Sequence, residues 1–323
     1  FAEAMAMKRA QESGLLIREP TFFDRLLAAR SAFLDKTGTL TTGKMTVASA
    51  DFVATHSDQR SRWLNLIAWM EKDDAHPVAR ALCEYAEQIG SLKTGFAVAS
   101  TRLISGGREL SLDGVRYSVH PLATSSNLLE VEFTANDERI ARFSFQDQMR
   151  DGAKELVSTL RHQDLTVIVL SGDQPAPVAA TLKDVGLEKE SGVASLLPNE
   201  KALRIARCQT PSLMIGDGAN DAEALQAATA SIAVRGEFAQ CLEAADAVLL
   251  ATSLHPVAGI FAIAKRLRLA LVLSLIFATS FNLVSAVLAI TGLMSPLVAA
   301  TLMPISSLIV TLISIFCLKG VKA

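Results

Sequence analysis

The chain has 323 residues, a net charge of −2 and a mean hydropathy of +0.33, and this length allows about two globular domains. The balanced charge, without a basic stripe, argues against a nucleic-acid-binding protein. Four scattered cysteines without a CxxC pair argue against a disulfide framework and fit a reducing cytosol.

The sequence at the start of the chain predicts one helix followed by two strands. The stretch Phe1–Gln11 is rich in Ala, Met and Lys and contains no helix breaker, so it predicts a helix that Gly14 ends. Leu15–Ile17 then predicts a short strand. The apolar run Ala32–Leu34 predicts a buried strand that meets a polar loop at Asp35–Thr41, whose sequence is DKTGTLT.

A change of pattern between about residues 47 and 140 indicates an inserted α+β domain. The stretches Trp63–Met70 and Val78–Ile89 are amphipathic and predict helices, and strand-like alternation follows around Arg102–His120.

Helix–strand alternation returns at Asp151. The apolar stretches Leu165–Leu170 and Ser212–Ile215 predict strands, followed by the polar loops Ser171–Asp173 and Gly216–Gly218. Apolar strands that alternate with helices predict an α/β fold with a doubly wound parallel sheet. In such sheets, sites form at the carboxyl ends of the strands, where these loops lie.

Two stretches near the end predict membrane-spanning helices. Leu269–Ile290 and Met294–Leu318 contain no charged residue, and each is long enough to cross a hydrocarbon core of roughly 30 Å. Basic residues flank the pair on both sides: Lys265, Arg266, Arg268, Lys319 and Lys322. Both flanks are therefore expected to be cytoplasmic. A buried core hairpin is the alternative, which two uncharged stretches of this length disfavour.

Polar residues at the predicted strand ends form a set suited to phosphoryl transfer. Asp35 can attack a phosphoryl group in line, and Asp217 and Asp221 can hold Mg²⁺ against the phosphate oxygens. Ser171 can donate a hydrogen bond to the phosphoryl group, and Lys201 can neutralise its charge. Each aspartate could instead be an ordinary turn residue, but that interpretation is weak for several successive strand ends.

The motifs resemble those of a known family. DKTGTLT at Asp35–Thr41 and GDGAND at Gly216–Asp221 match the phosphorylation and hinge signatures of P-type ATPases. Asp147 and Arg150 resemble the D-x-x-R element of that family, and Ser171–Asp173 resembles its TGD element with Ser in place of Thr. The resemblance covers nearly the whole chain, and it implies a haloacid-dehalogenase-like fold with an inserted nucleotide-binding domain.

The pair His76-Pro77 resembles the His-Pro pair of the heavy-metal (CPx-type) subfamily. This resemblance implies that His76 helps to seat the adenine of ATP and that Gly106 and Gly107 let the nucleotide approach the backbone. The chain departs from the subfamily pattern at Ala75, where Glu is usual, and at Arg108, which follows the glycines. A lone His-Pro is otherwise a helix-start signal.

The same resemblance implies that Mg²⁺ is held by Asp35, the backbone carbonyl of Thr37, Asp217 and Asp221. It also implies four parts: a leading helix and linker at 1–30, a phosphorylation domain at 31–47 and 140–255, a nucleotide-binding domain at 48–139, and a membrane hairpin at 265–323.

The last two helices carry candidate ligands for the transported cation. Asn282 follows Phe281 where copper-transporting members carry Tyr-Asn, and Met303 with Ser307 fits their M-x-x-S-S element. A thioether and neutral oxygens suit Cu⁺, whereas a divalent ion calls for a carboxylate. The resemblance thus implies Cu⁺ as cargo, bound by Asn282, Met303 and Ser307. The alternatives are helix packing for the methionine and interhelical hydrogen bonds for the serines.

Because the chain begins at Phe1, we expect it to be the C-terminal portion of a longer pump. Its partner would be the N-terminal half, with the actuator domain and the Cys-Pro-Cys helix. The resemblance implies an integral membrane protein of the bacterial inner (plasma) membrane, in contact with membrane lipid, whose catalytic domains are cytoplasmic.

Two other functions remain open. The first is a membrane-tethered phosphatase of the same fold, but such enzymes carry an aspartate general acid two residues after the nucleophile, where this chain has Thr37. The second is a non-transporting remnant that lacks the actuator half. The intact set of Asp35, Lys201, Asp217 and Asp221 weighs against it.

Overall fold

The computed structural model describes residues 1–53, 59–74, 76–89, 101–104, 107–122, 129–218, 221–235, 243–292 and 294–320. These residues form two compact units. The first comprises Phe1–Leu40, Arg150–Asp173 and Thr181–Ala323, and the second comprises Thr41–Met149 and Gln174–Ala180. The second unit begins seven residues before and ends ten residues after the predicted 48–139, because its first strand in the chain starts at Thr41 and its last strand ends at Met149.

The first unit contains a seven-stranded sheet. In sheet order its strands are β1 (Leu15–Ile17), β13 (Ala247–Leu249), β12 (Ala230–Arg235), β11 (Ser212–Asp217), β2 (Ser31–Asp35), β9 (Thr166–Leu170) and β10 (Gly192–Val193). The helices are α1 (Ala2–Glu12), α2 (Thr21–Ala28), α5 (Ala153–His162), α7 (Pro198–Ala206), α8 (Ala222–Ala227), α9 (His255–Ile290) and α10 (Pro296–Leu318). Helix α6 (Pro175–Val185) is divided between the units, since its residues up to Ala180 are grouped with the second unit and those from Thr181 with the first.

Strand β2 lies between β11 and β9 and is parallel to both. Its residues Ala32, Phe33 and Leu34 are buried, as expected for a strand that helices cover on both faces. Asp35 pairs in register with Leu170, so the polar residues that follow these strands share one edge of the sheet. The predicted α/β sheet is thus confirmed, with one difference: β1 joins the edge antiparallel to β13.

The second unit contains a six-stranded antiparallel sheet. In sheet order its strands are β3 (Thr41–Phe52), β8 (Glu138–Met149), β7 (Leu129–Ala135), β6 (Val115–Leu122), β5 (Gly107–Leu112) and β4 (Thr101–Ile104). Helices α3 (Arg60–Glu71) and α4 (Pro77–Gln88) contribute buried side chains to the same core as the strands. Two residues with positive φ, Asp113 and Gly114, close the β5–β6 hairpin, as tight two-residue hairpins require.

Helices α9 and α10 are the two elements long and apolar enough to cross a membrane, among the residues that the structure describes. Helix α9 starts at His255, well before the predicted span. Its first turns are buried, including Val257, Ile260, Phe261 and Leu267, and they pack against α1, α2 and α5. Beyond this buried face, the helix exposes large apolar side chains. One continuous helix therefore belongs partly to the globular unit and partly to the predicted hairpin.

Candidate active site

Lys201 joins two carboxylates at the edge of the first unit's sheet. Its ammonium nitrogen lies 2.5 Å from Oδ1 of Asp35 and 2.8 Å from Oδ1 of Asp221. The other oxygen of Asp221 accepts a hydrogen bond from the backbone nitrogen of Asp217 at 3.1 Å. The side chains of these four residues are all buried: Asp35, Lys201, Asp217 and Asp221. Four of the predicted site residues are thus brought together from three separate segments of the chain.

The local backbone explains how these side chains meet. Asp35 is the last residue of β2, Asp217 is the last residue of β11, and Asp221 precedes α8. A side chain at Gly216 would place its Cβ 2.9 Å from Oδ2 of Asp221, so glycine leaves the space that this carboxylate occupies. Lys201 reaches the sheet edge from the first turn of α7.

The charges of this cluster are not balanced. Burial and then the charge of Asp221 raise the pKa of Asp35 to about 7, against the opposing effect of Lys201. Burial would lower the pKa of the Lys201 ammonium, but the carboxylates of Asp35 and Asp221 outweigh it and raise that pKa. Two buried carboxylates, those of Asp35 and Asp221, therefore share the Lys201 ammonium group, and the nearby charge of Asp217 also raises the pKa of Asp35.

The donor set suits Mg²⁺ chemically. Carboxylate oxygens are the ligands that Mg²⁺ prefers. Burial and then the charge of Asp221 raise the pKa of Asp35, and a divalent cation beside these carboxylates would favour the ionised form that both effects disfavour. In the described residues no three His, Cys, Asp or Glu side chains surround a common metal position. Asp35 and Asp221 instead turn towards Lys201, so metal binding would require their oxygens to reorient.

The loop after Asp35 is irregular and closely held. Gly38 has φ +82°, a conformation that favours glycine. Lys36 is buried, and its ammonium group lies 2.6 Å from the carboxylate of Asp173. The hydroxyl of Thr37 donates to the same carboxylate at 3.3 Å. Asp173 thus ties the loop that follows β9 to the loop that follows β2.

Ser171 stabilises its own loop. Its buried hydroxyl accepts a hydrogen bond from the backbone nitrogen of Asp173 at 3.1 Å. Its backbone pairs with Val193 and Leu196. The hydroxyl proton is not used in the contact with Asp173 and remains a possible donor to a ligand.

Arg150 holds the same Asp35–Thr41 loop through backbone carbonyls. Its guanidinium donates to the carbonyl oxygens of Thr39 and Gly38, and its backbone nitrogen donates to the carbonyl of Leu40 at 2.8 Å. A further guanidinium nitrogen donates to the carbonyl of Thr252 at 3.1 Å. One arginine therefore fixes three successive residues of the loop. An arginine suits this last position of the D-x-x-R element because its guanidinium has several N–H donors in fixed directions.

The second unit contains a cavity of about 540 Å³. Its walls include His76, Gly107, Arg108, Glu71 and Asp74. Arg108 donates two hydrogen bonds to Asp74, at 3.1 and 3.3 Å, and lies 3.7 Å from the buried carboxylate of Glu71. Burial raises the pKa of Glu71 to about 7.

Two of the three predicted nucleotide residues line this cavity. His76 is the N-cap of α4, and its Nδ1 accepts a hydrogen bond from the backbone nitrogen of Val78 at 3.3 Å. In the neutral ring the proton is therefore on Nε2. A Cβ at Gly107 would lie 2.1 Å from the carbonyl oxygen of Val119, so no other residue fits there. Gly106 and Ala75 lie outside the described residues.

Sequence reasoning assigned no role to Glu71, Asp74 or Arg108. Glu71 follows Leu64 and Ile67 at helical spacing, and all three are buried. The sequence did indicate that Glu71 could be special, because its carboxylate lies on the apolar face of a helix. Burying such a group costs free energy unless it is paired or hydrogen-bonded. Asp74 and Arg108 gave no comparable signal, because their pairing depends on the fold.

The predicted cation residues lie on separate helices. The side chain of Asn282 is exposed on α9, and that of Ser307 is exposed on α10. The side chain of Met303 lies outside the described part of the chain. Ser295 caps α10 by accepting a hydrogen bond from the backbone nitrogen of Val298 at 3.3 Å.

The chain is similar to known proteins over most of its length. Residues 29–229 match the family model of the haloacid dehalogenase-like hydrolases. A copper-exporting P-type ATPase of Staphylococcus aureus (strain Newman) is 30% identical over 93% of this chain and 39% of its own length. The chain therefore spans well under half of the curated relatives it matches.

Solved structures show the same similarity. The crystal structure of a zinc-transporting PIB-type ATPase matches 98% of this chain and 54% of its own, with a TM-score of 0.87 and 26% identity. The catalytic domain of the CPx-ATPase CopB-B matches 79% of this chain and 98% of its own, with a TM-score of 0.60 and 25% identity.

Proposed function

The chain belongs to the haloacid dehalogenase-like hydrolases and, within them, to the heavy-metal P-type ATPases, and we propose that it is the energy-converting part of an ATP-driven metal pump. In this proposal Asp35 is phosphorylated from ATP. The observation that carries the proposal is Lys201, which bridges the buried carboxylates of Asp35 and Asp221. The remaining parts of the pump would correspond to the portion of the relatives' sequences that this chain does not match.

The proposed reaction is an in-line phosphoryl transfer. A carboxylate oxygen of Asp35 forms a bond to the γ-phosphorus of ATP as the bond from that phosphorus to the bridging oxygen breaks, and ADP leaves. Lys201 neutralises charge on the phosphoryl oxygens, and the Ser171 hydroxyl donates to one of them. Bound Mg²⁺ would supply further positive charge against those oxygens, held by Asp35, Asp217, Asp221 and the Thr37 carbonyl.

The residue at position 37 favours a pump over a phosphatase. A phosphatase of this fold needs an acid two residues after the nucleophile to assist the second, hydrolytic step. Thr37 has no acidic proton to give, and its hydroxyl donates to Asp173. The aspartyl phosphate is therefore expected to persist after ADP leaves, as a pump requires.

We assign the adenine of ATP to the cavity of the second unit. Neutral His76 has a donor at Nε2 because Nδ1 accepts from Val78. Gly107 brings the backbone of β5 to the wall of the cavity without an intervening side chain. These contacts support a nucleotide-binding role for His76 and Gly107, and we retain the same proposal for Gly106.

We propose Cu⁺ as the transported ion. The two apolar stretches contain no charged residue, so a divalent ion taken into them would lose its hydration without a compensating carboxylate. Asn282, Met303 and Ser307 offer one thioether and neutral oxygens, which suit a soft monovalent ion. The copper-exporting relatives support this choice, whereas the similar structure of a zinc-transporting ATPase makes Zn²⁺ the competitor to test.

The membrane placement follows from the same helices. We propose that α9 and α10 cross the inner membrane of a bacterium, and that the second unit and the part of the first unit that precedes the apolar stretches are cytoplasmic. The basic residues Lys265, Arg266, Arg268 and Lys319 flank the apolar stretches, which supports cytoplasmic ends by the positive-inside rule.

Phosphorylation with γ-labelled ATP and Mg²⁺ tests the proposed reaction. We expect an acid-stable label that hydroxylamine removes and that chelation of Mg²⁺ prevents. A label that resists hydroxylamine would contradict an acyl phosphate.

A second experiment tests the transported ion. The ATPase activity of the longer pump that contains this chain should be stimulated by Cu⁺ much more than by Zn²⁺, and Met303→Ala should lower that stimulation while ATP affinity stays the same. Equal stimulation by Zn²⁺ would contradict the assignment.

A further inference from the structure

A cavity lies where helix α9 leaves the globular part of the first unit. Its volume is about 240 Å³, and it is formed between α2, the end of α5 and α9. The apolar side of the cavity includes Leu26, Leu165 and Phe261, which are buried. The polar side includes Lys265, Arg268 and His162. The cavity is therefore amphipathic and is separate from both sites described above.

The two cations belong to one face of α9. Phe261, Lys265 and Arg268 follow the spacing i, i+4 and i+7, which brings side chains to the same side of a helix. Arg266 is one residue out of this register and does not line the cavity. Helical geometry thus divides three neighbouring basic residues into two that face the cavity and one that does not.

The cavity rim has an excess of positive charge. Lys265 and Arg268 are exposed, and neither forms an ion pair within the described residues. His162, also on the rim, adds a third positive charge when it is protonated, and Asp164 contributes the one carboxylate among the lining residues that the structure describes. A permanently anionic group would therefore be attracted to this rim.

The position along α9 indicates the kind of anion. Directly after Arg268, α9 exposes Leu269, Val272, Leu275 and Ile276, which is the surface expected to contact acyl chains. With the membrane placement proposed above, the cavity opens at the level of the lipid headgroups on the cytoplasmic side. A small free anion would contact the basic rim alone, whereas an amphiphile would contact both the rim and the adjacent apolar surface of α9.

We propose that this cavity binds the headgroup of an anionic phospholipid. Its phosphate would lie between Lys265 and Arg268, and the acyl chains would run along the exposed apolar side chains of α9. Basic pockets beside cytoplasmic helix ends are suited to anionic headgroups. The inference rests on the membrane placement proposed above. It assigns to the first unit a defined lipid-binding site, in contrast to the non-specific attraction of basic residues to an anionic membrane surface.

Native mass spectrometry of the full chain in neutral detergent tests this site. Phosphatidylglycerol and phosphatidylcholine with identical acyl chains are titrated separately, and inorganic phosphate is added as a third probe. We expect one retained phosphatidylglycerol, no retained phosphatidylcholine at the same concentration, and no displacement by phosphate. Equal retention of the two lipids, or displacement by phosphate, would overturn the proposal.

The matched variants are Arg268→Gln and Arg266→Gln, which remove the same charge two residues apart. Loss of one charge near a surface weakens attraction by about fivefold, and we expect Arg266→Gln to do no more. Arg268→Gln should weaken phosphatidylglycerol binding by at least about tenfold. The charge-preserving double variant Lys265→Arg with Arg268→Lys should retain the lipid, which separates loss of charge from loss of folding. Equal effects of the two glutamine variants, or lipid loss in the charge-preserving variant, would contradict a defined site.

Phosphorylation of the same preparations keeps the two proposals distinguishable. Arg268 is not in the phosphorylation site, so the Arg268→Gln protein should still be labelled from ATP. Labelling without lipid selectivity would refute the lipid site alone. Lipid selectivity without labelling would refute the phosphorylation of Asp35 alone.

Discussion

The ammonium group of Lys201 lies 2.5 Å from Oδ1 of Asp35, although 166 residues separate the two in the chain. This contact places a permanent positive charge beside the carboxylate that we propose as nucleophile. Because both groups are buried, water screens their interaction weakly. The lysine can therefore favour the ionised, reactive form of Asp35 and also stabilise negative charge on an incoming phosphoryl group.

The first prediction concerns this lysine. Lys201→Met should lower the initial rate of phosphorylation by about 100-fold, the usual effect of removing one electrostatic donor from a transition state. Arg204→Met, an exposed position on the same helix α7, should leave the rate unchanged. The initial rate is measured by quenched-flow labelling from ATP at saturating Mg²⁺. A Lys201→Met protein that is labelled as fast as the unaltered chain would remove Lys201 from the reaction.

The second prediction concerns Mg²⁺. Asp217→Asn should raise the Mg²⁺ concentration for half-maximal phosphorylation by at least the roughly tenfold cost of losing an outer-shell partner, because a direct ligand loses its charge. Asp184→Asn removes an exposed carboxylate of α6 and should not change the Mg²⁺ requirement. An unaltered requirement in Asp217→Asn would mean that the metal is held by other groups.

Much of the proposed phosphorylation site could be predicted because its residues lie in short, continuous motifs at strand ends. Asp35, Asp217 and Asp221 are of this kind. The bond between Lys201 and both Asp35 and Asp221 could not be derived, because nothing in a sequence reports the distance between α7 and the sheet edge. The role of Arg150 was also hidden, since its partners are backbone carbonyls that have no sequence signature.

Other features depended on burial, which pattern reasoning estimates poorly for charged residues. Glu71 is the last residue of α3, and the cavity wall buries it beside Arg108. The start of α9 at His255 was missed for a related reason: its first turns are amphipathic and pack on the globular unit, whereas the prediction followed uncharged length alone.

The third prediction separates two possible roles of His76. His76→Asn keeps a side-chain acceptor for the N-terminus of α4 but removes the ring Nε2 donor. ATP affinity, measured by calorimetric titration, should fall by about tenfold, the value of a buried hydrogen bond, while stability stays nearly constant. His76→Ala should also lower stability, by about 1 kcal/mol for the lost cap. Unchanged ATP affinity in His76→Asn would leave only the capping role.

The fourth prediction uses the pKa of Glu71, which burial raises from its ordinary value of 4.5 to about 7. The folded state therefore holds a proton that the unfolded state releases between these values. The resulting stability is complete below pH 4.5 and is lost as the pH rises through 7. The change should reach up to about 3 kcal/mol, and Glu71→Gln should abolish it.

Tryptophan fluorescence can follow this transition selectively. The chain has two tryptophans, Trp63 and Trp69, and both lie in α3 of the second unit. Urea unfolding at about pH 5 and about pH 8, on either side of the raised pKa, therefore reports that unit. Glu87→Gln, which removes an exposed carboxylate of α4, should retain the pH dependence. Equal pH dependence in Glu71→Gln would assign it to another group.

The fifth and most direct test locates the phosphorylated residue. After reaction with ATP and Mg²⁺, borohydride reduction converts an aspartyl phosphate to homoserine, and peptide mass spectrometry identifies the position. We predict homoserine at position 35 alone, none in Asp35→Asn, and an unchanged yield in Asp151→Asn, where the altered carboxylate is exposed. Homoserine at another carboxylate, or undiminished phosphorylation of Asp35→Asn, would contradict the proposed function.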